Sequence, residues 1–455
     1  MANVLIRHGL LVDTEWARHM DILIKDSVIE RIAPSIEEDS VDDGTTVIDA
    51  EGLCVLPGLI DAHTHYHLVS RGTVTADSFP EGSRLASFGG VTTVVDFADD
   101  NKEDLSDSFH QRRREMRSMS IDYALHQGVY KWRDSIPEEL KKVHEEGINA
   151  IKIFTTYRNV GYLVEKRDEL KAIFDEATRL GMQVCIHCED DQMIQDINDD
   201  WKGTYLPKDH ADMRPAEVEA AAIRYVGGIA KELGCSIYIV HLSSKLGLEA
   251  VRELRNEGVH LTVETTPHYL FLERSKLEGE KGPLYVMTPP LRTHEDNLAL
   301  QEAVENGEIQ VVASDHCTFT YEQKLESNDV RTIYPGIPGT EEILPLLHTF
   351  GVVKGKMNLS QIVNLCSTGP AKAFGLYPKK GSLKEGTDAD ICLFDPDESW
   401  VIGKDTVHTA AGYSAYDGMT VTGKVVMTFL RGRLIMGDGI YLGLEGDGQF
   451  LGGKR

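Results

Sequence analysis

The chain has 455 residues, of which 41% are hydrophobic, and this indicates a globular protein with one large domain and a smaller companion. The formal net charge of −26 argues against nucleic acid and anionic membrane surfaces as partners, because both would repel such a field. No apolar run of about 18 residues and no signal-peptide pattern occurs, so we expect a cytoplasmic protein with no membrane partner.

The two ends of the chain have a similar character. Residues 1–54 contain the strand-like runs VLIRHGLLVD and MDILIKDSVIERIAP, and residues 378–455 contain ADICLFD and VVMTFLRGRLIM. Neither end shows a long helical pattern between these runs. We therefore expect residues 1–54 and 378–455 to meet in a small β-sandwich domain. The last segment, GLEGDGQFLGGKR, is rich in glycine and is expected to form a loose tail or a strapping arm.

Between residues 55 and 377, short β-rich runs alternate with longer amphipathic stretches, which is typical of repeated βα units around a parallel sheet. The β-rich runs are, in chain order, LIDAHTH, VTTVVDF, IDYALHQGV, NAIKIFTT, QVCIHCED, SIYIVHLSS, VHLTVETTPH and IQVVASDHC. The stretches between them include RDELKAIFDEATRLG and PAEVEAAAIRYVGGIAKELG, whose apolar residues recur at helical spacing. Eight such strands predict an α/β fold with a (β/α)₈ TIM barrel at residues 55–377.

Potential metal ligands occur within or at the ends of five of these runs. Residues two apart in a strand share a face, so both imidazoles of the HTH motif could reach one ion, although such a pair also arises by chance. Functional groups of this barrel gather at the C-terminal ends of the strands. The candidate ligands are His63, His65, Lys152, His187, His241 and Asp315. Their alignment on one rim predicts a metal-dependent hydrolase.

The composition of this set favours two metal ions. Four histidines and one aspartate exceed the three protein ligands that one catalytic zinc usually takes. Two ions roughly 3.5–4 Å apart can hold a hydroxide between them and polarise a carbonyl oxygen.

Lys152 is the unusual member of the set. The run AIKIF would place an ammonium inside an apolar barrel beside two dications, where burial and like charge both oppose protonation. The amine is then either neutral or converted by carbon dioxide to a carbamate, whose two oxygens could bridge two metals. An outward-pointing side chain remains the third possibility.

Position along the chain suggests roles for Asp315 and for two further residues, His316 and Tyr157. Asp315 could serve as a ligand, as a proton carrier, or as both. His316 should point the opposite way along the strand and is interpreted as structural. Tyr157 lies in the loop after Lys152 and carries a phenol suited to an oxyanion, although it could equally be an ordinary loop aromatic.

The motifs HTH, IKIFTTY, IHCED, VHLSS, TPPLR and SDHCTF occur in that order, and the chain closes with PKKGSLKEGTDADICLFDP. In these motifs the chain resembles the cyclic amidohydrolases of the dihydropyrimidinase and hydantoinase family, nearly end to end. The resemblance implies a barrel with a β-sandwich, two zinc ions per subunit bridged by a carboxylated Lys152, and a homotetramer. It also implies a small cyclic amide as substrate, opened to an N-carbamoyl acid by a metal-bridging hydroxide.

The same resemblance implies a role for each candidate. His63 and His65 would bind the first metal, and His187 and His241 the second. Asp315 would bind the first metal and shuttle the proton to the leaving ring nitrogen, while Tyr157 would steady the tetrahedral oxyanion.

Five positions depart from the family pattern. Thr288 replaces the serine of one substrate-binding loop, and Pro335 replaces the asparagine of another and has no N–H to donate. His67 stands where relatives carry aspartate or arginine. Ser70 and Gly161 fall where bulky gate residues are common, which implies a roomier or more polar mouth. The natural ring and its stereochemistry therefore stay open.

Two alternatives accompany this hypothesis. The chain could be an allantoinase or another cyclic ureide or imide hydrolase, which a substrate panel would separate. It could also be a non-catalytic assembly protein of the same family, but such relatives have lost metal ligands and this chain keeps every ligand position.

Overall fold

A computed structural model describes residues 3–452 of the chain. Seven strands precede the barrel: β1 (Val4–Arg7), β2 (Leu10–Val12), β3 (Ala17–His19), β4 (Asp21–Lys25), β5 (Val28–Ala33), β6 (Thr46–Asp49) and β7 (Cys54–Pro57). Strands β5, β4, β1 and β6 form a four-stranded sheet in that order. Strands β7, β2 and β3 belong to a second sheet, which the other end of the chain completes.

The central part of the chain contributes ten strands: β8 (Leu59–Asp61), β9 (Val69–Ser70), β10 (Thr73–Val74), β11 (Val91–Ala98), β12 (Asp122–Gly128), β13 (Ala150–Phe154), β14 (Gln183–His187), β15 (Ile237–Ile239), β16 (Leu261–Thr265) and β17 (Val311–Val312). Strands β9 and β10 form a separate hairpin. The other eight make one parallel sheet in chain order, from β8 to β17. This confirms the predicted (β/α)₈ TIM barrel and the assignment of a strand to each of the eight runs.

The barrel closes through side chains and one bridge instead of a regular ladder between β8 and β17. Thr64 forms an isolated parallel bridge with His316, and the backbone N–H of His65 donates to the carbonyl oxygen of His316 at 2.8 Å. The backbone N–H of Ser314 donates to Asp61 Oδ1 at 2.9 Å. The first strand of the barrel, β8, ends at Asp61. The prediction that His63 and His65 lie within this strand was therefore wrong.

The helices surround this sheet. They are α1 (Phe79–Phe88), α2 (Leu105–Glu115), α3 (Ile136–Glu145), α4 (Arg167–Leu180), α5 (Asp191–Asp199), α6 (His210–Met213), α7 (Ala216–Leu233), α8 (Lys245–Asn256), α9 (Pro267–Phe271), α10 (His294–Glu305), α11 (Tyr321–Leu325), α12 (Ile343–Leu347), α13 (Leu359–Val363) and α14 (Gly369–Ala373). Helix α4 stops at Gly181, whose φ of 72° is a left-handed conformation that glycine adopts without strain. None of the helices within residues 3–452 is long and apolar enough to span a membrane.

The C-terminal strands complete the second domain: β18 (Ile391–Val401), β19 (Thr420–Leu430), β20 (Arg433–Gly437) and β21 (Ile440–Tyr441). They join β7, β2 and β3 in a seven-stranded sheet. Apolar side chains of this sheet, such as Val55 and Ile391, pack against Ile6 and Ile22 of the four-stranded sheet. The two chain ends therefore share one core, as predicted for a β-sandwich, while the domain limits at residues 54 and 378 stay a prediction.

The C-terminal segment lies against the barrel. Gln449 donates its backbone N–H to Asp122 Oδ1 at 2.8 Å, and Leu451 donates its own to the carbonyl oxygen of Tyr123 at 2.7 Å. Asp122 and Tyr123 begin β12, so these bonds hold the segment at the end of the barrel opposite the functional rim. The sequence predicted either a loose tail or a strapping arm, and the described part of the segment is a strapping arm. Residues 453–455 of that segment lie outside the described residues.

Candidate metal centre

The six candidate ligands of the sequence converge at the carboxyl end of the barrel, and we call them the metal centre. His63 and His65 follow β8, Lys152 lies in β13, and His187 is the last residue of β14. His241 and Asp315 follow β15 and β17. All six side chains line one cavity of about 300 Å³.

The polar atoms of the metal centre face one another. Asp315 Oδ1 lies 3.2 Å from Nε2 of His63 and 3.3 Å from Nε2 of His65. Nδ1 of His187 lies 3.0 Å from Nε2 of His241. Ligand atoms of His63, His241 and Asp315 all lie within 4.8 Å of one another, which is a spacing that could hold a metal ion.

Lys152 is enclosed in the same place. Its side chain is 1% exposed, and its Nζ has no hydrogen-bond partner among the described residues. Nζ lies 5.0 Å from the ring centre of Phe154 and 5.4 Å from that of Phe97. Burial lowers the pKa of the Lys152 ammonium to about 8, although Asp315 and Glu264 partly oppose this shift. Burying an amine without a hydrogen-bond partner costs free energy. The geometry therefore fits an amine that is chemically modified or that lies beside a bound metal ion.

Burial also sets the protonation of the other groups. It lowers the pKa values of His63 and His241 far below the ordinary histidine value, and the positive charge of Lys152 adds to the effect. Burial alone would raise the pKa of Asp315, but the imidazoles of His63 and His65 outweigh it and hold that pKa below its usual range. His63 and His241 are therefore neutral imidazoles and Asp315 is an ionised carboxylate, which are the forms that bind divalent metals.

Two buried carboxylates, which the sequence analysis missed, orient the histidines. Glu264 Oε1 accepts a hydrogen bond from Nδ1 of His63 at 2.8 Å, and Glu189 Oε2 accepts one from Nε2 of His187 at 2.7 Å. Each bond leaves the other ring nitrogen directed into the centre, as in carboxylate–histidine–metal arrangements. Glu264 is the penultimate residue of β16, the seventh strand of the barrel. The rule that functional groups gather at the C-terminal ends of barrel strands could therefore have found it.

His268 is a second residue that the sequence analysis did not single out. It lies in α9, lines the cavity and is 1% exposed. Neither ring nitrogen has a hydrogen-bond partner among the described residues, and burial lowers its pKa to about 4. A neutral imidazole with an open donor and an open acceptor is thus available to a bound molecule.

The three predicted substrate-binding residues line the same cavity, namely Tyr157, Thr288 and Pro335. Tyr157 has a left-handed backbone with a φ of 74°, and its ring centre lies 5.2 Å from that of His187. Burial raises the pKa of its phenol, which therefore keeps its proton and can donate it in a hydrogen bond.

Three other positions that depart from the family pattern are Ser70, Gly161 and His67. Ser70 lines the cavity, and Gly161 lies between Val160 and Tyr162, which also line it. His67 is exposed, and its ring lies 5.5 Å from that of Phe79 and outside the cavity wall.

His316 faces away from the metal centre, in agreement with the structural role expected for it. Its Nε2 lies 2.9 Å from Asp77 Oδ2, and its Nδ1 accepts the backbone N–H of Gly339 at 3.2 Å. Both ring nitrogens are thus engaged in buried contacts within the fold.

Residues 54–435 match the model of the amidohydrolase family. The chain belongs to this family. It is 36% identical to a D-hydantoinase of Ralstonia pickettii over 99% of this chain and 98% of the relative, and 35% identical to a D-hydantoinase of Rhizobium radiobacter over 98% of both. The crystal structure of dihydropyrimidinase from Brevibacillus agri superposes with a TM-score of 0.95 at 33% identity, over 99% of each chain. The resemblance to hydantoinases and dihydropyrimidinases is thereby confirmed.

Proposed function

We propose that this amidohydrolase opens a cyclic amide of the hydantoin or dihydropyrimidine type to an N-carbamoyl acid. The observation that carries the proposal is the convergence of four imidazoles, one carboxylate and one buried amine on a single cavity at the barrel rim. The full-length similarity to D-hydantoinases and to a dihydropyrimidinase supports the same reaction class.

The donor set fits two zinc ions bridged by a carboxylated Lys152. His63 and His65 with Asp315 would hold one ion, and His187 and His241 the other. The unpartnered Nζ of Lys152 and the unpartnered Nδ1 of His241 support this assignment, because both are buried polar atoms that lack a partner among the described residues. When bound, the ions polarise the ring carbonyl and lower the pKa of water towards neutrality.

The protein groups then move protons and hold the ring. Asp315 accepts a proton as the water oxygen adds to the ring carbonyl carbon, and it delivers that proton to the ring nitrogen as the carbon–nitrogen bond breaks. The carbon becomes the carboxylate of the product, and the released nitrogen ends the carbamoyl group. Tyr157 donates its phenolic hydrogen to the carbonyl oxygen while that oxygen carries charge.

The loops of Thr288 and Pro335 position the ring by backbone groups. Pro335 offers only its carbonyl oxygen, because proline has no N–H, so the ring loses one donor on this side. His268, with both nitrogens open, supplies a donor and an acceptor elsewhere in the cavity. The second candidate within the same chemistry is an allantoinase or another cyclic ureide or imide hydrolase.

A substrate panel tests the proposal. Zinc-loaded protein is given hydantoin, dihydrouracil, allantoin and succinimide, and products are followed by mass spectrometry. We expect ring opening of at least one of them, and the Asp315→Asn variant should lose at least about 10³-fold in kcat while keeping its fold. The exposed Asp405→Asn is the matched control. Protein that binds about two zinc ions per chain and opens none of these rings would contradict the proposal.

Two properties remain proposals, of which the second rests on the resemblance. We propose that the enzyme works in the cytoplasm and that it assembles as a homotetramer. Fractionation and light scattering of the full chain would test each of them.

A further inference from the structure

A second cavity adjoins the metal centre. It has a volume of about 380 Å³, and it shares Arg71, Tyr157, Thr288 and Pro335 with the cavity that the metal centre lines. Three of these four residues are the proposed ring-holding residues. A substituent that leaves the ring on this side would therefore lie beside Arg71.

Arg71 is exposed and stands at an unusual place in the backbone. It occupies the tip of the β9–β10 hairpin, between the paired residues Ser70 and Thr73, and its φ is 49°. A side chain other than glycine adopts this left-handed conformation at some cost, so the arginine is held where glycine would fit more easily. Its Nη1 donates to the carbonyl oxygen of Ile333 at 3.3 Å, which holds the guanidinium at the boundary of the two cavities.

The charge of Arg71 is not neutralised by the protein. No acidic side chain within residues 3–452 forms an ion pair with it, whereas the other two arginines of the second cavity each have one. Arg214 lies 2.7 Å from Glu189, and Arg331 is paired with Asp329. On the side of the first cavity the wall includes the apolar residues Leu68, Val69, Val160 and Phe319, of which Val69 and Val160 are exposed.

We propose that Arg71 selects cyclic amides whose exocyclic substituent ends in an anionic group such as a carboxylate. The inference rests on the proposed function, because the ring of such a substrate would be opened at the metal centre. A guanidinium presents a planar set of donors that matches a carboxylate. The aliphatic part of the substituent would contact the apolar wall.

The test compares substrates of matched shape. Hydantoins with a carboxymethyl or 2-carboxyethyl group at ring position 5 are compared with those bearing an isobutyl or 2-carbamoylethyl group, one enantiomer at a time. The readout is the ratio of kcat/KM between charged and neutral partners. We expect the wild type to favour the charged partner by about tenfold, and this preference should weaken as salt is raised.

Variants at Arg71 test whether this residue causes the preference for charged substrates. Arg71→Gln should bring the ratio close to one, Arg71→Glu should reverse it, and Arg71→Lys should retain part of it. The matched control is the double variant Arg331→Gln with Asp329→Asn, which removes a guanidinium of the same cavity together with the carboxylate that neutralises it, and its ratio should stay close to that of the wild type.

The failure of the inference is distinct from that of the proposed function. If the wild type opens unsubstituted hydantoin or dihydrouracil but shows no charged preference, or if Arg71→Gln keeps the wild-type ratio, the role of Arg71 is overturned while the function stands. If the wild type opens no ring at all, the proposed function is overturned and the inference with it.

Discussion

The carboxylate of Glu264 joins His63 and His241, since its Oε1 lies 2.8 Å from Nδ1 of His63 and 3.1 Å from the backbone nitrogen of His241. One buried side chain thus fixes a residue of each proposed metal site. Glu264→Gln should weaken zinc binding about 10- to 100-fold, because the ring of His63 loses its carboxyl partner. Zinc retention during titration with a chelator measures this. Glu342→Gln, a buried carboxylate with no contact to a metal-centre histidine, is the control, and equal zinc retention in both variants would rule out the role of Glu264.

Tyr157 should act mainly on the chemical step. Tyr157→Phe keeps the ring beside His187 but removes the phenolic donor, so kcat should fall about 10²- to 10³-fold with little change in KM. Steady-state kinetics on the best substrate of the panel gives both constants. Tyr162→Phe removes another phenol from the same cavity and should change kcat only slightly. Should Tyr157→Phe retain full kcat, its phenol has no part in the reaction.

Lys324 is expected to position the substrate loops. Its buried Nζ donates to the carbonyl oxygens of Val286 at 2.7 Å, Tyr334 at 2.8 Å and Gly336 at 2.9 Å, which flank the proposed ring-binding positions Thr288 and Pro335. Lys324→Met leaves three buried carbonyls without this donor and should cost about 2–4 kcal/mol of stability. We also expect KM to rise severalfold.

Thermal unfolding and steady-state kinetics of Lys324→Met are measured side by side to test this. Lys324→Arg, which keeps N–H donors at this position, should recover part of the KM. A lower melting temperature with an unchanged KM would assign Lys324 to stability alone.

Glu342 should make the fold less stable as the pH rises. Burial raises the pKa of its carboxyl to about 7, Glu341 adds to the shift, and Ser414 and His316 oppose it. The folded chain therefore keeps a proton that the unfolded chain loses above the ordinary glutamate pKa of 4.5, so stability falls between about pH 4.5 and pH 7 and stays low above it.

Glu342→Gln removes this ionisation while its amide oxygen can still accept the hydroxyl of Ser414. At pH 8 the variant should be about 3 kcal/mol more stable than the wild type, and near pH 4 the gain should largely vanish. Denaturant unfolding at both pH values checks this, with the exposed Glu322→Gln as control. A gain of the same size at both pH values would contradict the assignment.

The barrel could be predicted from the sequence because its signals are local. Each strand is a short apolar run, and the ligands stand within or just after the runs, so His187 and Asp315 could be placed on one rim without any knowledge of contacts. The exact ends of the strands could not be predicted. Strand β8 stops before His63 because the barrel closes through the side chain of Asp61 and the bridge between Thr64 and His316, which no local pattern encodes.

The supporting residues were missed for a related reason. Glu264 lies 201 residues from His63, and Lys324 lies 38 residues from Val286, so their contacts exist only after folding. A lysine in the polar segment YEQKL is expected to be exposed, but three carbonyl oxygens enclose Lys324. The position of Arg71 was missed as well, because it depends on a short hairpin that no periodic sequence pattern predicts.

Anomalous diffraction at the zinc edge, from crystals of the zinc-loaded protein, tests the central claim most directly. We expect two peaks roughly 3.5–4 Å apart at the barrel rim, each about 2.0–2.2 Å from the ligand atoms of its own residues, with carboxylate density joined to Nζ of Lys152 between them. A single peak, no peak among these six residues, or an unmodified Lys152 beside two ions would contradict the account.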